Sequence, residues 1–440
     1  MNIGLYIPCY NAEEHIADVL KAVFAQTLKA NEVVVVDDGS TDKTAEIVRN
    51  FPARLIRHTN NKGLAAARNT AINNLQADYI ASLDADCVPE PDWLEKLTQA
   101  CAQEEITGVG GKLLEKHTSS IYDQWRAAHM RQYWEKDQGT PPFLFGSNTV
   151  FRKRPLEEVG LYNENFKNNY EDVDICQRLK KNGYNFNYEP QAVVYHFKQD
   201  TLSTLFNSYW QWHLFYYKKE NFYSSSDNFL AKLKDNIGLA NRYLTEDMQA
   251  GREQLLYLDF LLTLHHSIKD FEYFVFKDSK AEQPVNTALV LWLSLFDLTF
   301  SYHYYADQDT LFSFMAEEGM FFQNTLGLML VVGAILRGVF TSRKLREQIY
   351  LDFYRSFCPE PDYSALLLRL SNLVERQPQW NQLCLKAHPY LDRGFLSGLT
   401  SELEKWMNSL KTMRPDIIKI IEKSAQYAGS KKEKTNGPEE

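Results

Sequence analysis

No CxxC pair occurs among the six cysteines, Cys9, Cys87, Cys101, Cys176, Cys358 and Cys384. Their scatter excludes a zinc module built on paired thiolates and a disulfide framework, and fits a reducing compartment. Positive charge is also short. Lys and Arg number 48 against 57 Asp and Glu, and the formal net charge of −9 argues against nucleic acid as a partner. Long apolar runs are missing as well. In the best candidate, Gly319 to Leu336, Gln323 and Asn324 break the first half, and the apolar core runs only from Leu326 to Leu336. At about 1.5 Å per residue that core falls far short of the roughly 30 Å of a bilayer interior, so a buried helix is expected and no transmembrane span. The N-terminus opens at once on Ile3-Gly4-Leu5-Tyr6-Ile7-Pro8, without the basic and apolar regions of a secretion signal. The expectation is a cytoplasmic protein, with peripheral contact at the inner membrane face as the other option.

What is present suggests two or three domains: 440 residues, with 44% apolar content to fill their cores. The most informative stretch is Leu83-Asp84-Ala85-Asp86-Cys87. It follows Tyr79-Ile80-Ala81-Ser82, a short apolar run that reads as a buried strand. Carboxylates spaced i, i+2 at the end of such a strand sit in the crevice where open α/β sheets bind ligands, and they can share a hard divalent cation. Capping of the next helix is the plainer role. That helix, however, has its own start signal at Pro89-Glu90-Pro91-Asp92.

Other segments point to the same crevice. Residues 3–7 form a first strand ending at Pro8-Cys9-Tyr10-Asn11, followed by a helix from Ala12 to Phe24 with Ile16, Val19, Leu20 and Val23 on one face. Val33 to Val36 is apolar on both faces, as a central parallel strand must be, and ends in Asp37-Asp38-Gly39-Ser40-Thr41-Asp42. Asp37 or Asp38 is expected to face the crevice. A third strand, Arg54-Leu55-Ile56, leads to Asn60-Asn61-Lys62-Gly63, and the helix Leu64 to Leu75 carries Arg68 and Asn69. A glycine-opened helix start with nearby cations is a natural anion site. Strand–helix alternation over residues 1–112 predicts a doubly wound, mostly parallel sheet. Further on, Glu171-Asp172 opens a helix from Val173 to Asn182, and Phe186 to Tyr195 reads as extended, with His196 at its end. Trp125, Tyr133 and Trp134, in the mixed segment 113–142, suit an acceptor site and core packing equally well.

Taken together, residues 1 to about 200 resemble the family 2 glycosyltransferases, which have the GT-A fold. The matching motifs are Pro8-x-Tyr10-Asn11, Val36-Asp37-Asp38-Gly39-Ser40-Thr41-Asp42, Asn61-Lys62-Gly63 with Ala67-Arg68-Asn69, Asp84-x-Asp86, Gly146-x-Asn148 and Glu171-Asp172-x-Asp174. The resemblance implies inverting transfer of a sugar from a nucleotide-diphosphate donor, UDP-linked by default. Carried over by position, Asp38 binds the base and Asp86 the metal, Mn²⁺ or Mg²⁺. Asp172 is the catalytic base, beside Glu171. Pro8, Tyr10, Asn11, Lys62, Gly63, Arg68, Asp84, Gly146 and Asn148 contribute to the donor site, the last two in a loop under the donor sugar. His196 stands where some members add a histidine to the metal. The QxxRW motif of processive members is absent, because Gln211-Trp212-His213-Leu214-Phe215 replaces its arginine and tryptophan. A non-processive enzyme is therefore expected, with Gln211 and His213 as weak acceptor-side candidates. The alternative, a non-catalytic nucleotide-sugar-binding protein, would show a broken DxD or acidic pair, and neither is broken here.

The second half is different. Aromatic residues crowd from Phe206 to Tyr223, which implies burial, an interface such as a homodimer, or membrane-surface contact. Ser224-Ser225-Ser226-Asp227 reads as a linker, giving a catalytic domain 1–223, a helical domain 224–428 and a charged, disordered tail 429–440. Amphipathic helices are expected at 255–264, 285–300, 364–374 and 416–427. The acceptor, whether a bacterial surface glycan, a lipid-linked sugar or a protein, is not separated by these features.

Overall fold

The computed structural model describes residues 1–135, 140–167, 169–224 and 226–276, with the single positions 412, 416 and 423. The expected helices at 285–300, 319–336 and 364–374, nearly all of the one at 416–427, and the tail lie outside the described residues. Two compact units divide between Asp200 and Thr201, earlier than the 223/224 boundary expected from composition.

The first unit is built on one eight-stranded sheet. Its parallel part comprises β1 (Ile3–Cys9), β2 (Glu32–Asp37), β3 (Arg54–Arg57) and β4 (Tyr79–Leu83), in the order β3-β2-β1-β4. Alternation within β2 feeds two cores: Val33 and Val35 pack into one face, Val34 and Val36 into the other. Helices cover both faces. On one, α1 (Ile16–Phe24) buries Ile16, Val19, Leu20 and Val23, the i, i+3, i+4, i+7 stripe of an amphipathic helix. It starts later than Ala12 because Asn11 and Ala12 are held in a turn, their N–H groups donating to Ser40 Oγ (2.9 Å) and Thr44 Oγ1 (2.7 Å). After the short α2 (Thr44–Val48), α3 (Leu64–Asn74) lies close on the opposite face through Ala65, Ala67 and Ala71.

The sheet then turns mixed. Strand β5 (Cys87–Pro89) precedes α4 (Trp93–Ala100), β6 (Ile106–Glu115), α5 (Ile121–His129), β7 (Asn148–Arg152), α6 (Lys153–Glu158), α7 (Glu171–Lys181) and β8 (Asn185–His196). Strand β7 inserts antiparallel between β4 and β6, β8 runs parallel to β6, and the three-residue β5 closes the edge antiparallel to β8. This mixed, mostly parallel sheet between helical layers is the GT-A arrangement expected. The ends of β1, β2, β4, β6 and β8, the start of β7 with the loop before it, and the start of α7 supply the polar groups considered below.

The second unit is helical throughout its described part: α8 (Leu202–Lys219), α9 (Ser226–Gln249) and α10 (Leu256–Phe276). Thr201 and Thr204 form a reciprocal capping box at the start of α8. Burial accounts for much of the aromatic crowding: Phe206, Tyr209, Trp210, Tyr217 and Tyr223 are all inside. Within that core Lys232 pairs with Asp270 at 3.2 Å and lies 3.6 Å from the Tyr217 ring centroid, while Trp210 and Tyr223 donate to Asp270 at 2.8 and 2.7 Å. Gln211 and His213 both lie on α8, and burial pushes the His213 imidazole down to about 4. No helix among the described residues is long and apolar enough to cross a membrane.

Candidate active site

The DxD carboxylates occupy the turn between β4 and β5. Asp86 meets His196 because β5 and β8 pair in the register Cys87 opposite His196, and β6 and β8 pair with Glu115 opposite His196. Cross-strand neighbours on one face touch, and so an acid–histidine–acid chain forms across three strands. Glu115 Oε2 lies 2.9 Å from His196 Nδ1, and His196 Nε2 lies 3.2 Å from Asp86 Oδ2. Burial works against a charged imidazole here, but Asp86 and Glu115 outweigh it and hold His196 up at about 9. The Asp86 side chain stays 37% exposed, so this chain ends at the crevice.

Asp84 is joined to a buried guanidinium. Arg68, 1% exposed, donates from Nη1 to Ser82 Oγ (2.6 Å) and to the Gly146 carbonyl (2.7 Å), and from Nη2 to Asp84 Oδ1 (3.0 Å). Its Nε stands 3.6 Å from Glu171 Oε1. The side chain thus ties β4, the loop before β7 and the start of α7 together. Expected on the donor diphosphate, Arg68 is instead enclosed by the protein's own acceptors. Gly146 is glycine because that guanidinium needs the space: a Cβ there would stand 2.9 Å from Arg68 Nη2.

Asp172 lies in the first turn of α7. Its Oδ2 accepts from the Gly146 N–H (3.1 Å) and its Oδ1 from the Val173 N–H (2.8 Å). The residue before the pair, Tyr170, has φ 78°, ψ −7°, left-handed backbone that an aromatic residue adopts at a cost of about 1–3 kcal/mol. Such strain is found where a fold over-determines a site. Burial, and then the neighbouring Asp172, push Glu171 up to about 8, and burial raises Asp172 as well. Glu171 Oε2 has no hydrogen-bond partner, consistent with one proton resting on the pair.

The loops after β1 and β2 fit together. Asn11, at φ 49°, accepts the Thr41 N–H on its side-chain oxygen (2.9 Å), and Pro8 is buried opposite Val36. Tyr10 is 50% exposed beside them. Asp38 does not face the crevice as expected. Its carboxylate accepts from the Lys62 N–H (2.9 Å) and the Gly63 N–H (2.8 Å) and contacts His58 Nδ1 at 2.6 Å. Asp37 is equally buried, accepting from the Ser40 N–H (2.8 Å) beside Arg57 at 3.0 Å. Gly63 starts α3 at φ 99°, where a Cβ would strike the Lys167 backbone, and the exposed part of Lys62 is left at the helix N-terminus. Asn148 is a further correction. It is 1% exposed inside the sheet, its Oδ1 accepting from the Trp93 indole N–H at 2.6 Å, so it is not among the groups the crevice offers. Trp125 is also fully buried.

Residues 5–160 match the model of glycosyl transferase family 2. The chain carries a family 2 glycosyltransferase domain. Over 221 residues it is 27% identical to a poly-beta-1,6-N-acetyl-D-glucosamine synthase of Staphylococcus aureus (strain COL), covering 48% of this chain and 53% of that one. A synthase of the same description from Staphylococcus epidermidis is 26% identical over the same length and shares. The chain thus spans about half the length of the curated relatives it matches. Among solved structures, similarity extends to a mannosyltransferase from Pyrobaculum calidifontis in complex with GDP-Man and Mn²⁺ (18% identity, 94% of this chain and 87% of that one, TM-score 0.38). It extends also to S. aureus TarS 1–349 in complex with UDP (15% identity, 93% and 92%, TM-score 0.38).

Two participants in the family 2 domain escaped the motifs. Glu115 and His58 act through contacts between distant segments. The only sequence signal for either was an acid or a histidine at a strand end. The domain's acidic pair carries a pH consequence. In the folded state Glu171 holds its proton to higher pH than it does unfolded, so ionising it costs stability. Stability contributed by the protonated form is present below the ordinary carboxylate range and is lost as pH rises from about 4.5 toward about 8. Glu171→Gln is expected to flatten this decline in chemical-denaturation midpoints. By removing the like charge beside Asp172, it should also move the acidic limb of the rate profile to lower pH. An unchanged limb would separate Glu171 from the titration of Asp172.

Proposed function

We propose that this protein is an inverting, metal-dependent, non-processive glycosyltransferase. It moves a sugar from a nucleotide-diphosphate donor, a UDP-sugar by default, to an acceptor hydroxyl. The observation that carries this reading is the Gly146 loop: Arg68 links its carbonyl to the DxD turn, while its N–H holds the carboxylate of the candidate base. Inversion is a single displacement, which needs a base on the acceptor hydroxyl and stabilisation of the departing diphosphate. Asp172 suits the first task. Burial raises its affinity for a proton, two main-chain donors offset part of that rise, and a carboxylate with two such bonds retains lone pairs for an incoming O–H.

The second task falls to Asp86 and His196. A carboxylate oxygen and an imidazole nitrogen converge at the crevice, and Glu115 on Nδ1 leaves Nε2 as the ligating atom, the usual outer support of a metal-bound histidine. These residues fit Mn²⁺ or Mg²⁺, which when bound acts as a Lewis acid on the leaving diphosphate. Asp84, held by Arg68, shapes the turn that presents Asp86. Lys62 and the N-terminus of α3 lend positive potential for the donor phosphates. Tyr10 and Asn11 then line the nucleoside end, over the buried Pro8, and Asp38 serves it indirectly by fixing Lys62 and Gly63.

A donor screen tests this. Purified protein is incubated with a panel of nucleotide sugars, with Mn²⁺, with Mg²⁺ or with chelator, and released nucleoside diphosphate and thermal stabilisation are read. One donor should respond, metal-dependently, and the response should disappear in Asp86→Ala. A response that survives both chelator and Asp86→Ala would remove the metal from the mechanism.

A further inference from the structure

Arg68 is followed on α3 by Asn69, 8% exposed, whose two polar side-chain atoms both bond to the segment between α6 and α7. Its Oδ1 accepts the Tyr162 N–H at 2.9 Å, and its Nδ2 donates to the Tyr162 carbonyl at 2.8 Å and to Glu164 Oε1 at 2.9 Å. An amide that grips both main-chain groups of one residue fixes that residue in position and in rotation, as a strand partner does. Further contacts hold the same segment. The Leu64 N–H at the start of α3 donates to the Lys167 carbonyl at 2.7 Å. From α7, Arg178 donates to the Val159 and Leu161 carbonyls at 2.5 and 2.6 Å, and Asp174 accepts from Arg178 Nε at 2.8 Å. This grip is matched by strain. Leu161 has φ 60° and Tyr170 φ 78°, and residues other than glycine keep such backbone only where their surroundings over-determine it.

What this segment leads into is the start of α7, and so Asp172. Arg68 donates to the Gly146 carbonyl, and the Gly146 N–H meets Asp172 at 3.1 Å. Successive residues of α3 therefore govern the two sides of that contact. Arg68 holds the loop that offers the N–H, and Asn69 holds the chain that brings the carboxylate to it. We infer that Asn69 is a positioning residue for Asp172, fixing the 161–167 segment so that the base carboxylate stays on the Gly146 N–H. The inference rests on Asp172 being the base of the proposed transfer, and it adds a residue that acts on that base without touching substrate. Gly63 serves the same end, because a Cβ there would stand 2.8 Å from the Lys167 carbonyl oxygen and push the segment off α3.

The test reads that contact directly, with neither donor nor acceptor. Phe145-Gly146 is the only Phe–Gly pair in the sequence, so carbonyl-¹³C phenylalanine combined with ¹⁵N glycine isolates the Gly146 amide in the full chain. Its hydrogen exchange is measured in the parent, Asn69→Ala, Glu164→Ala and Ile72→Ala, the last opening a cavity on the apolar face of the same helix. Asn69→Ala should speed Gly146 exchange about tenfold or more, and Glu164→Ala, which removes a single bond to Asn69, about two- to threefold. Ile72→Ala should lower the urea midpoint yet leave Gly146 exchange within about twofold of the parent. An unmoved Gly146 amide in Asn69→Ala overturns the positioning role, as does an unmoved amide in Glu164→Ala if Asn69→Ala does not fold. Equal acceleration in Ile72→Ala also overturns it, since Asn69 then acts through general packing. With the donor found by the screen, Asn69→Ala should lower kcat about tenfold at a KM within about twofold. A change in KM alone counts against the role. If no donor responds, the transferase reading fails and the clasp is judged by Gly146 alone; if a donor responds while Gly146 is unmoved, only the positioning role fails.

Discussion

Replacing Asp172 with asparagine should lower sugar transfer by about a hundred- to ten-thousand-fold while leaving donor affinity within about twofold. The amide keeps the size of the carboxylate, and its oxygen can still accept the Gly146 N–H now 3.1 Å from Asp172 Oδ2. It cannot take a proton from an acceptor hydroxyl. The loop and the α7 start should therefore stay in place while chemistry stops. The experiment pairs donor titration by calorimetry with single-turnover transfer once donor and acceptor are known. Transfer at the parent rate would dismiss Asp172 as the base. A joint collapse of donor binding and stability would make it a structural residue. Because Glu171 sits beside it with a raised affinity for protons, Asp172→Asn should also lower the pH at which Glu171 ionises, since one neighbouring charge is gone.

The largest stability effect is expected at Arg68. Arg68→Met keeps length and apolar bulk but strips the donors from Asp84, Ser82 and the Gly146 carbonyl and the positive charge from beside Glu171. Breaking a buried pair by removing one partner typically costs about 3–5 kcal/mol, because the remaining charge has neither water nor counter-ion. Urea denaturation should show a loss of that size. Part of it should be recovered in Arg68→Met/Glu171→Gln when the comparison is made above about pH 8, where Glu171 would otherwise ionise without its counter-ion, so the two changes should not add there. Strict additivity would mean that Arg68 and Glu171 do not interact despite their 3.6 Å separation.

Local pattern made most of the first unit legible. The doubly apolar Val33–Val36 run is a central strand, and Ile16, Val19, Leu20 and Val23 do form a buried stripe. The antiparallel insertion of β7 between β4 and β6 was not readable, because strand order is decided by long-range packing and leaves no periodic trace. The same limit applies to the site. Asp84, Asp86, Glu171 and Asp172 are visible as acids at element ends. Whether an acid faces the crevice or the protein depends on what the next segment brings to it. Asp38 turns inward because Lys62 and Gly63 present two N–H groups, and Asn148 because Trp93 presents an indole. Glu115 joins His196 only through the β6–β8 register, which no stretch of sequence encodes by itself.

The Gly146 contact has one more consequence. The partner of the candidate base is a main-chain N–H, which every residue but proline possesses. No ordinary exchange of side chain at 146 can delete it, whereas a site built from side-chain donors is one substitution away from losing each of them. What position 146 cannot absorb is bulk, since any Cβ meets the Arg68 guanidinium. The arrangement is indifferent to the chemical character of this residue and intolerant of its volume. Substitution at position 146 is therefore limited by space and not by the loss of a donor to Asp172.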